Sequence, residues 1–120
     1  VDMNVHFVTL RPADLEQSIA FYSRVLGMNV ARRFAPRPGM EIAFMDGGGI
    51  EVEFLFDGNP VDPPTGVSMG FFVDDMDKTL AHLAREGAEI LSGPDTMPNG
   101  VRLLRARDCH GLDLGFVQQP

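Results

Sequence analysis

Apolar positions recur at helical spacing in two stretches of the chain. In the first, Leu15, Ile19, Tyr22 and Leu26 fall at i, i+4, i+7 and i+11, one face of an amphipathic helix. Asp14 precedes this face as an N-cap, Gln17 completes a capping-box pattern, and Gly27 stands where a helix ends. In the second, Met76, Leu80 and Leu83 make a shorter face after Asp74 and Asp75, and Gly87 closes it. The spacing predicts helices over roughly Leu15–Leu26 and Asp75–Glu86. A shift of 61 residues lays Asp14 on Asp75, Leu15 on Met76, Ile19 on Leu80 and Tyr22 on Leu83. Two copies at this distance indicate a duplication and not a solenoid.

Strand-like runs complete each copy. Val5–Leu10 and Val67–Val73 precede the helices. Asn29–Phe34, Met40–Met45 and Ile50–Phe56 follow the first, separated by the turns "PRPG" (36–39) and "DGGG" (46–49). Glu89–Leu91, Val101–Arg107 and Leu112–Val117 follow the second, separated by "SGPDTMPNG" (92–100) and "DCHG" (108–111). The fold class expected is α+β, two βαβββ units in one domain of 120 residues. Unit one covers about residues 3–56 and unit two about 66–117. The Pro- and Gly-rich "DGNPVDPPTG" (57–66) reads as the linker.

Composition narrows the partners. The chain is 44% hydrophobic, with nine Phe and seven Met, enough apolar residues for a packed core. Its formal net charge of −7 argues against nucleic acid or an anionic membrane as a partner. A cationic ligand suits that charge, as does simple solubility. The single cysteine, Cys109, excludes an intrachain disulfide and suits a reducing, cytoplasmic location. No apolar run approaches the ~20 residues of a membrane span. The start, Val1-Asp2-Met3-Asn4, has neither a basic nor an apolar stretch, so no signal peptide is expected.

The stretches "FVTLRPADLEQSIAFYSRVLGMNV", "GFFVDDMDKTLAHLAREGAEI" and "RARDCHGLDLGFVQ" together resemble the vicinal oxygen chelate superfamily, which includes glyoxalase I, extradiol dioxygenases and bleomycin resistance proteins. The resemblance covers almost the whole chain. It implies an open, cupped mixed sheet with the helices on its outer face and a small-molecule ligand in the cup. Single-module members of this length usually pair as homodimers, and a homodimer is expected here.

Where members of that superfamily hold a metal, the ligands are four: a His or equivalent on the first strand of each unit and a carboxylate on the last strand of each. The first histidine usually lies seven residues before the helix-capping Asp. Counting back from Asp14 reaches Phe7, not His6. Side chains alternate across a strand, so Phe7, Thr9 and Arg11 should face the cup, with His6, Val8 and Leu10 toward the helix. A β-bulge would be needed to bring His6 into the cup. The matching residue of the second unit is Ser68. In "IEVEFLF", alternation puts Glu51, Glu53 and Leu55 in the cup and Ile50, Val52, Phe54 and Phe56 in the core. Glu53 matches the first carboxylate, Gly115 stands at the second, and Asp113 shares the face of Gly115. One carboxylate does not hold Zn²⁺ or Fe²⁺ tightly, so no metal and no cofactor is expected.

The ligand-binding residues expected are Phe7, Thr9, Glu51, Glu53, Leu55, Ser68, Phe72 and Asp113, with Glu53 also the candidate catalytic residue. The function expected is a metal-free binding protein that holds an apolar or cationic small molecule. The alternative is a lyase, isomerase or dioxygenase of the same superfamily, working through a metal or through Glu53. His82 reads as solvated and His110 as a turn residue. Cys109 beside His110 is not read as a nucleophile, because adjacent residues on a turn rarely face each other. Arg32, Arg33 and Arg37 read as a solvated strand edge, with anion binding as the other reading.

Overall fold

The computed structural model describes residues 1–59 and 61–120. The chain divides into two compact units, Val1–Asp62 and Pro63–Pro120. Of the expected linker, Pro60 lies outside the described residues.

Unit one runs β1 (Phe7–Leu10), α1 (Leu15–Arg24), β2 (Asn29–Arg37), β3 (Met40–Asp46) and β4 (Glu51–Phe56). Its sheet has the order β1-β4-β3-β2. β1 lies parallel to β4 and the other pairs are antiparallel. Unit two repeats this with β5 (Ser68–Phe72), α2 (Met76–Arg85), β6 (Glu89–Thr96), β7 (Arg102–Arg107) and β8 (Asp113–Gln118), in the order β5-β8-β7-β6. Both units are therefore βαβββ, with mixed four-stranded sheets.

The caps expected from sequence form. The Asp14 carboxylate accepts from the Gln17 amide and the Asp75 carboxylate from the Lys78 amide, each at 3.0 Å. The helices stop two residues and one residue earlier than expected, at Arg24 and Arg85. Their last carbonyls are taken up by the turn that follows. The Met28 amide donates to Tyr22 and the Ala88 amide to Leu83, each past a glycine at positive φ.

Each helix covers one face of its own sheet. Tyr22 is fully buried and meets Phe54 edge-on at 4.9 Å, while Val52, Ala43 and Met45 complete the core of unit one. In unit two, Met76 and Leu83 pack with Leu104, Ala106, Leu114 and Phe116. The opposite face of each sheet is left open by its helix.

Two strands run further than expected. β2 continues through Pro36 to Arg37, and β6 through Ser92, Pro94 and Asp95 to Thr96. Both are outer strands of their sheets, and register shifts fall between Phe34 and Arg37 and between Ser92 and Asp95. A proline that cannot donate to the ladder is tolerated at an edge or a bulge, so these prolines do not end the strands as expected.

Candidate functional site

The open face of unit one is built from alternate residues of four strands. The parallel register pairs Phe7 with Glu51 and Thr9 with Glu53. The antiparallel register sets Phe44 beside Glu53 and Ile42 beside Leu55, and β2 brings Arg32 beside Phe44 and Phe34 beside Ile42. The pairing of β1 with β4 has no register shift, so Phe7 and Thr9 share a face with the two glutamates. No bulge carries His6 onto that face; His6 lies before β1, its carbonyl accepting from the Glu51 amide at 2.8 Å.

Phe44 sits at the centre and is nearly covered. The Phe7 ring meets it edge-on at 5.7 Å, Phe34 stacks at 6.4 Å, and the Arg32 guanidinium lies 4.0 Å above its ring centre. That guanidinium also forms a two-pronged bond to the Glu51 carboxylate, both contacts at 2.9 Å. The bond holds the Glu51 carboxyl below its ordinary range and raises Arg32 above its own. Glu51 is thus an ion-paired carboxylate. Glu53 differs. It is half-buried, and its Oε1 accepts from the Thr9 hydroxyl at 2.5 Å.

The three arginines lie on an exposed outer strand, as expected, and two of them make specific pairs. Arg32 turns to the open face and Arg33 to the helix side, because neighbours on a strand point oppositely. Arg33 pairs with Glu16 of α1 and Glu41 of β3. Sequence reading missed Arg32 as a site residue, since its partner Glu51 lies nineteen residues away on a strand that does not neighbour β2.

The open face of unit two carries other side chains at the same places. Ser68 pairs with Asp113, Gly70 with Gly115 and Phe72 with Val117. Asp113 accepts from Arg105 at 3.2 Å and from Arg107 at 3.4 Å. Glu51 and Asp113, each the first residue of its unit's last strand, are both held by arginine. Ser68 and Phe72 are exposed and Asp113 is half-buried.

The remaining histidines lie elsewhere. His82 is half-buried and not solvated as expected. His110 sits in the β7–β8 turn with Nε2 buried and, among the described residues, unpartnered. Cys109 is half-buried in the same turn.

A model of the Glyoxalase/Bleomycin resistance protein/Dioxygenase superfamily matches residues 4–116. The chain belongs to this superfamily. Solved glyoxalase-superfamily structures share the fold. A glyoxalase family protein from Enterococcus faecalis is 21% identical over 95% of this chain and 96% of its own, with a TM-score of 0.80. Glyoxalase I from Zea mays is 22% identical over 96% of this chain and 44% of its own, with a TM-score of 0.84. TioX from Micromonospora sp. ML1 is also similar, 24% identical over 98% of this chain and all of its own, with a TM-score of 0.76. No curated protein matches the chain.

The metal positions implied by the glyoxalase resemblance fall on Phe7, Glu53, Ser68 and Gly115. These residues do not fit a divalent ion. Phe7 and Gly115 offer no donor and Ser68 a weak one, which leaves Glu53 as the single strong ligand of the four. Among the described residues, no three His, Cys, Asp or Glu side chains gather as a metal would require. No helix among the described residues is long and apolar enough to cross a membrane.

Proposed function

We propose that this protein binds a small molecule without a metal, and that Glu53 on the open face of unit one holds the ligand's cationic or hydrogen-bond-donating group. The observation that carries this reading is the contrast between the two glutamates. Glu51 is neutralised by the two-pronged Arg32 bond, whereas Glu53 is half-buried beside Phe44 and Leu55 and accepts from a neutral hydroxyl. A carboxylate with spare acceptor capacity at an apolar face favours a ligand that carries a donor on an apolar body. Phe7 and Leu55 supply apolar contact, and Thr9 positions the carboxylate. On the open face of unit two, taken by itself, Ser68, Phe72 and Asp113 are proposed as ligand contacts.

Ligands of this class are sought by thermal-shift screening of cationic and hydroxyl-bearing aromatic compounds, and a hit is titrated calorimetrically. Glu53→Gln is expected to weaken the hit about 10- to 150-fold, the range of a charged hydrogen bond worth about 1.5–3 kcal/mol. The melting temperature and the metal content should not change. Stoichiometric divalent metal in the purified protein, required for the binding, would replace this reading with the metal-dependent lyase, isomerase or dioxygenase.

We also propose a homodimer in the cytoplasm. Every residue of the outer strand β2 is exposed, including Val30 and Phe34, and an exposed strand edge is a template for pairing. Light scattering is expected to give twice the chain mass at micromolar concentration. A monomer throughout that range would remove the claim.

A further inference from the structure

Of the asparagines Asn4, Asn29, Asn59 and Asn99, Asn99 alone precedes a glycine. An asparagine side chain loses ammonia when the main-chain nitrogen of the next residue reaches its Cγ, and a side chain on that next residue hinders the approach. Asn4 and Asn29 each precede a valine, branched at Cβ, and Asn59 precedes a proline, whose nitrogen carries no hydrogen. Asp46 and Asp57 also precede glycine, but a carboxylate resists attack at its carbon far more than an amide does.

Asn99 is exposed in the turn that joins β6 to β7. Its Oδ1 accepts from the Val101 amide at 3.1 Å. That donor folds the side chain back along its own main chain and draws electrons from Cγ, as a donor aimed at any carbonyl under attack does. The loop closed by this bond contains every atom of the ring that would form: Cγ, Cβ, Cα, the Asn99 carbonyl carbon and the Gly100 nitrogen. One bond opposes the reaction. The Gly100 amide donates to the Met97 carbonyl at 2.9 Å and must be released before its nitrogen can attack. An exposed turn opens locally at little cost, so this bond slows the reaction and does not prevent it.

We propose that Asn99 is a site of spontaneous hydrolytic modification in the folded protein, and that the isoaspartate formed there unlatches the β6–β7 turn. Hydroxide takes the Gly100 amide proton, and the nitrogen attacks Asn99 Cγ. The new N–Cγ bond forms, the Cγ–Nδ2 bond breaks, and Nδ2 leaves as ammonia with a proton from water, which restores the hydroxide. Water then opens the succinimide at Cγ, giving aspartate, or at the main-chain carbonyl, giving isoaspartate. The balance is one water consumed and one ammonia released, with no oxidation. Isoaspartate places an extra carbon in the main chain. The turn is closed by the Met97 amide on the Val101 carbonyl at 2.8 Å and by the Gly100 amide on the Met97 carbonyl. The inserted carbon lies inside both closures. Gly100 has no room to shift toward Pro120, whose Cβ would lie 3.0 Å from a Cβ at Gly100. This site is independent of the proposed ligand binding.

The test is incubation of the full chain in heavy-oxygen water at mildly alkaline pH, folded and in denaturant, followed by digestion and mass spectrometry. In the folded protein, heavy oxygen is expected at Asn99, chiefly as isoaspartate, and not at Asn4, Asn29 or Asn59. The folded rate should be no more than about tenfold below the denatured rate, the cost of a local opening and not of global unfolding. Purified isoaspartate-99 chains should melt below the unmodified protein and exchange the Met97 and Gly100 amides faster. Asn99→Asp keeps an oxygen acceptor for the Val101 amide and the normal main chain, so it should melt as the unmodified protein does. Asn99 unchanged in the folded protein while the denatured chain converts would overturn the site, since the Met97 bond would then guard it. Isoaspartate chains that melt as the unmodified protein does, or an Asn99→Asp variant that melts as low as they do, would overturn the unlatching.

Discussion

Replacing Phe54 by alanine is expected to cost about 3–5 kcal/mol of stability, the upper range for emptying a core aromatic position. Phe54 lies in β4, bonded on one side to β1 through Leu10 and on the other to β3 through Ala43. It is 1% exposed, and its ring meets the fully buried Tyr22 of α1 at 4.9 Å and 86°. The surroundings collapse poorly into the space left behind. Ala43 is too small to reach across, and Tyr22 is fixed by its own helix. A domain of this size has a total stability of about 5–15 kcal/mol, so the loss is a large share of it. Denaturant unfolding with an unchanged slope and a lowered midpoint is the expected readout. Phe54→Leu should cost much less, because it keeps most of the volume. A loss below about 1 kcal/mol for the alanine variant would contradict the packing of α1 on β4.

Asp108→Ala is expected to cost about 2–4 kcal/mol, for a different reason. Asp108 is 9% exposed at the end of β7. Its Oδ1 accepts from the amides of His110 at 2.8 Å and Leu112 at 2.9 Å, and its own amide donates to the Leu112 carbonyl at 2.9 Å. Leu112 is 2% exposed, so removing the carboxylate leaves its amide buried without an acceptor. The turn has little freedom to adjust. Gly111 has φ +87°, and a Cβ there would lie 3.1 Å from Pro63. Asp108→Asn retains an oxygen acceptor and should cost well under half as much. Faster hydrogen exchange at the Leu112 amide in the alanine variant would trace the loss to this turn and not to the distant core.

A strand face could be read wherever one stretch carried its own contrast. In "IEVEFLF" the apolar residues alternate with Glu51 and Glu53, and β4 buries Val52 and Phe54 while leaving both glutamates half-exposed; Ile50, expected in the core, precedes the strand and is 40% exposed. "NVARRFAPR" has no such contrast. Its arginines are adjacent, and only pairing with β3 decides that Arg32 lies over Phe44 and Arg33 against α1. The two prolines that looked like turns are similar. A proline is excluded from a central strand and tolerated on an outer one, and strand order is a property of the whole sheet.

The sequence by itself determined the parts that rest on local chemistry. Asp14 and Asp75 cap their helices because the acceptor and the amide it satisfies are three residues apart. Leu15, Ile19 and Tyr22 bury together because helical geometry puts them on one side. The 61-residue repeat follows from the same short-range patterns occurring twice. Only the tertiary structure decided which distant residues share a face. The pairing of Arg32 with Glu51, the short Thr9–Glu53 bond and the pairing of Gly70 with Gly115 all join segments nineteen to forty-five residues apart. Each depends on the parallel or antiparallel register of strands brought together by the fold, and a slip of one residue in that register would turn every one of these side chains to the opposite face.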